Sequence, residues 1–118
     1  MAEEKRIIPR ESPFGGLPED SDRVGETTYF YPRAADIIKL SEETSAKIED
    51  AVAREKCLEM FGGLLFLFGA AQVKFAKARE ALSSSDEREF AVQLEWAQED
   101  LKVAALRATR ITEAYLAA

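Results

Sequence analysis

From Ala34 onward the apolar residues recur at three- and four-residue steps, and before it they do not. Ile37, Leu40, Thr44, Ile48, Ala51, Val52 and Leu58 trace one stripe, with Glu43, Lys47, Asp50 and Arg54 on the other side, so 34–57 reads as an amphipathic helix. The same phase then continues without a charged side through MFGGLLFLFGAAQV, residues 60–73. Phe61, Phe68, Phe75 and Leu82 stand seven apart, Leu58 and Leu65 complete their seam, and Gly62, Gly69 and Ala76 keep the same step one position along. A row of rings beside a row of tiny residues lets a second helix approach closely. Gly62-Gly63 is where a kink would fall in a helix running from 34 to 82, which if continuous would be about 73 Å long.

Ser83-Ser84-Ser85-Asp86-Glu87 marks a turn and a new start, with Ser84 and Glu87 spaced as a capping box. Beyond it Phe90, Leu94, Ala97, Leu101, Ala104, Ala108, Ile111 and Tyr115 alternate steps of four and three, a coiled-coil seam. Val92, Trp96, Val103 and Leu106 add a flanking stripe, so this helix is expected to be covered on two sides. One antiparallel hairpin cannot supply that cover. The expected fold is therefore all-α: a long helical hairpin, with any kink near Gly62-Gly63, forming a four-helix-type bundle by association.

Residues 1–33 contain all four prolines and three of the six glycines, spaced so that no useful helix fits. They read as an extended or partly disordered N-terminal arm, separate from a helical hairpin domain at 34–118. Its Tyr29-Phe30-Tyr31 run is expected to dock as an extended segment, because aromatics are rare in disordered tails. Removing the arm is expected to cost partner binding and leave helicity unchanged.

Composition narrows the function more than it identifies it. Sixteen Lys and Arg against 22 Asp and Glu give a net charge of −6 with no basic cluster, which argues against nucleic acid as a partner. The single Cys57 cannot form an intrachain disulfide, and Met1 to Arg10 has only two consecutive apolar residues before a proline, so a cytoplasmic location is expected. The uncharged run from Met60 to Val73 is 14 residues, short of the roughly 20 a spanning helix needs, so no membrane span is expected. With no histidine anywhere, His-based triads, most zinc sites and Glu-x-x-His di-iron pairs are excluded. Glu95 and Glu99 lie one turn apart, as solvated acids on a helix commonly do, and Lys56 beside Cys57 does not face it.

These readings favour a non-enzymatic structural or interaction protein. It self-associates or joins a larger complex through Phe61, Gly62, Leu65, Phe68, Gly69, Phe75 and Trp96, with no catalytic, metal or cofactor site. The partner expected is protein, as a homo-oligomer or a heteromeric complex. The alternative is a helical protein that binds a small apolar ligand or a membrane surface with the same face.

Overall fold

A computed structural model describes residues 2–117. Strands β1 (Glu3–Arg6), β2 (Glu19–Val24) and β3 (Thr27–Pro32) precede helices α1 (Ala34–Ala46), α2 (Ala51–Ser83) and α3 (Glu87–Ile111), and a π turn at Thr112–Leu116 follows α3. The all-α expectation is thus corrected. The molecule is mostly helical, but residues 3–32 carry a small mixed sheet rather than only an extended arm, and the helices form neither a four-helix bundle nor a coiled coil.

The sheet has the order β1-β3-β2, with β1 parallel and β2 antiparallel to β3. Gly25, at φ 63°, takes the first central position of the two-residue β2–β3 turn, where a primed hairpin turn needs a residue free of a Cβ penalty. Along β3 the two-residue period separates faces: Tyr29 and Tyr31 are buried, while Phe30 points away under the Arg6 guanidinium, 4.9 Å from its ring centroid.

The expected 34–82 helix is interrupted, and not at the glycines. Lys47–Asp50 breaks it, because Asp50 caps α2 by accepting the Ala53 N–H at 2.8 Å while Arg54 donates to the Ile48 and Glu49 carbonyls. Gly62 and Gly63 lie inside an unbroken α2. At its other end α2 closes in a Schellman arrangement: the Asp86 N–H donates to the Ala81 carbonyl, the Ser85 N–H to Leu82, and Ser85 adopts φ 58°. The cap of α3 is Asp86, which accepts from the Glu89 N–H, rather than the expected Ser84.

Packing explains why no second copy is needed to dry the phenylalanine row. α2 buries Cys57, Phe61, Leu64, Phe68, Ala71, Phe75 and Ala78, again at steps of four and three, and α3 answers with Ala97, Leu101, Ala104, Ala108 and Ile111. The remaining side is closed by the first third of the chain. Phe14, held in a 3₁₀ turn at Pro13–Gly16, meets Phe61 at 6.0 Å between centroids; Tyr31 stacks on Phe68 at 5.4 Å; Tyr29 meets Phe75 at 4.7 Å. Each ring in the seven-residue series has one N-terminal aromatic over it, and such pairs contribute about 0.5–1.5 kcal/mol beyond burial. Polar ties fix the alignment: Gln98 donates to the Tyr29 hydroxyl at 2.7 Å, and Arg79 donates to Asp22 at 2.9 Å.

Candidate interaction surface

The residues expected at an interface divide into two groups facing opposite ways. Phe61, Phe68 and Phe75 belong to the protomer core, and Leu65 is half-buried at its edge. Gly62 and Gly69 face solvent, and Trp96 on α3 is 54 % exposed. Of the three aromatics expected to dock, Tyr29 and Tyr31 lie in the core and Phe30 lies on the outer face of the sheet.

The glycines head a stripe that the phenylalanine row conceals in the sequence. Gly62, Phe66, Gly69, Val73 and Ala76, also at steps of four and three, all face outward from α2. Phe66 is 74 % exposed and Val73 56 %, and a Cβ added at Gly62 or Gly69 would meet nothing within 4 Å. Each of these glycines costs about 1 kcal/mol of helix stability relative to alanine, and no contact inside the protomer requires it. Phe66 and Val73 are the functional candidates that reading the chain by its phenylalanine series missed. The signal was present one turn-face away, in the exposed Phe-x-x-Gly-x-x-x-Val spacing.

Two pins set how α3 flanks this stripe. Lys74 pairs with Asp100, and Gly63 leaves room for Arg107, whose Nη1 would stand 2.9 Å from a Cβ there. Antiparallel to α2, α3 therefore places its exposed Val103 about level with Ala70 and its exposed Trp96 about level with Lys77. Exposed large apolar residues grouped on one helix face, as Phe66 and Val73 are on α2, mark interaction sites on soluble proteins. By length and composition α2 could also cross a bilayer, since its full 33 residues extend beyond the uncharged run, and 28 % of its most apolar window is buried in the protomer.

Elsewhere the chemistry is sparse. Among the described residues no cluster of three or more Cys, Asp or Glu side chains is placed to hold a metal ion. Cys57 is fully buried, and burial pushes its thiol up, away from the reactive thiolate. Glu95 and Glu99 are exposed on α3. An open groove of about 890 Å³ runs between Ile7–Pro13 and the outer side of α3, lined mainly by apolar atoms of Ile7, Ile8, Val103 and Leu106. No protein-family model, curated protein or solved structure matches the chain.

Proposed function

We propose that the chain is a non-enzymatic interaction protein whose outward α2 face docks a protein partner. The observation that carries the reading is the solvent-facing series Gly62, Phe66, Gly69, Val73, Ala76 on a helix whose opposite side is already packed. A monomer gains nothing from a bare phenylalanine and two uncontacted helix glycines; an interface gains an aromatic anchor and a close backbone approach. The second reading is attachment to a membrane surface, favoured by the apolar length of α2.

Phe66→Glu combined with Val73→Glu tests both readings. The two side chains are exposed, so circular dichroism of the variant is expected to match the native chain. Native protein purified from its own cell is expected to run by light scattering well above the 13.1 kDa protomer, and the variant at that mass. A native chain that is protomeric and floats with lipid vesicles establishes the second reading instead. One that is protomeric and does not float refutes both.

A further inference from the structure

We infer that the partner on the α2 face is a second copy of this chain, packed antiparallel across a two-fold axis level with Leu67 and Phe68; this rests on the interaction reading above. The stripe is its own complement when reversed. With the axis at that level, Phe66 lies over the partner's Gly69 and Val73 over the partner's Gly62, so each bulky side chain meets a residue with none, and the two-fold repeats both contacts. A parallel pairing sets every residue against itself: Phe66 meets Phe66, and the glycines face each other across empty space.

Charge selects the same arrangement. Glu59 and Lys77 are both exposed and stand eighteen positions apart, which at about 3.6 residues per turn puts them on one flank of α2. Reversed about the same axis, Glu59 falls beside the partner's Ala76 and within reach of the partner's Lys77, twice per dimer; a parallel two-fold carries that flank to opposite sides of the seam and forms neither pair. Glu55 and Glu80 come level at the two ends, where like charges face each other and limit the seam to the apolar series. The face is open along its length, since nothing in the protomer lies within 4 Å of a Cβ at either glycine. A helix pair this short is at the small end of specific interfaces, so a micromolar dissociation constant is expected.

Sedimentation equilibrium over a concentration series tests the arrangement with the native chain, Gly69→Leu, Glu59→Lys, Lys77→Glu and the double reversal. The native chain is expected to approach twice the 13.1 kDa protomer mass, and Gly69→Leu to remain at the protomer mass with native circular dichroism. Each single reversal turns two attractive pairs repulsive and is expected to weaken association about tenfold; the double reversal is expected to return to within about threefold of native. Double reversal as weak as the singles, or Gly69→Leu that dimerises like native, overturns the antiparallel seam. A native chain that stays protomeric while Phe66→Glu abolishes its complex with a different subunit overturns the second copy as partner and leaves the interaction reading standing.

Discussion

Tyr31 carries the most heavily loaded single side chain in the core. Its ring stacks on Phe68 while its hydroxyl donates to Asp22, which also receives Arg79, so one residue joins β3, β2 and α2. Burial, reinforced by the carboxylate it bonds, holds its proton far above the ordinary tyrosine value of 10.0, and a hydrogen bond with Gln72 works the other way. The unfolded chain therefore releases this proton first as pH rises, and the folded chain keeps it. The contribution is present below pH 10 and is lost above it. Chemical denaturation is expected to show stability falling by about 1.4 kcal/mol per pH unit above roughly pH 10, with a slope shallower by that amount in Tyr31→Phe. Equal slopes in the two proteins would remove Tyr31 as the cause.

At the scale of elements, the α2–α3 turn holds stored strain that one substitution can release. Ser85 occupies a left-handed position that costs an L-residue about 1–2 kcal/mol and glycine almost nothing. Ser85→Gly is expected to raise stability by about 0.5–1 kcal/mol, after the greater freedom of glycine in the unfolded chain is subtracted, and thermal unfolding checks it. The turn itself was legible because three serines and an aspartate interrupt two strongly periodic segments. So were the helical character of both segments, the core face of α3 and the apolar row of Phe61, Phe68 and Phe75; Leu58 and Leu82 of the expected α2 seam are exposed instead, and Cys57, Leu64, Ala71 and Ala78 complete the core face. The strands were not. β1 is four charged residues with none buried, and β2 reads EDSDRV and buries only Val24, so neither alternates; β3 alone has strand composition, and its sheet forms because α2 and α3 give Tyr29 and Tyr31 a surface to cover. The α1–α2 break had a local sign in Asp50, three residues before the N–H it caps, which the continuous stripe through Ile48 and Ala51 masked.

For the whole molecule, 53 × 26 × 20 Å, the decisive fact is that the first third of the chain is part of the core. That revises the expectation for the candidate site. Phe61, Phe68 and Phe75 looked like an interface because their cover was sought in another chain, and the glycine row looked like their accessory; in the folded protomer the rings are satisfied and the glycine row is the open surface. It also revises the expectation for truncation. Phe14→Ala is expected to cost about 3–5 kcal/mol. Removing residues 1–33 is expected to abolish cooperative unfolding and expose dye-binding apolar surface, measured by calorimetry and fluorescence. A truncated chain with an unchanged sharp melt would show that the sheet is dispensable.

Because Phe14, Tyr29 and Tyr31 close onto rings that lie much later in the chain, order of synthesis matters. A ribosome adding roughly 5–20 residues per second takes about 2–9 s to pass from Tyr31 to Phe75. With β1 reading EEKR and β2 burying only Val24, the sheet has little apolar face of its own and depends on packing against the helices. During that interval the emerging segment waits with its aromatics open, and the sheet can only snap shut after translation has delivered the helices that it seals.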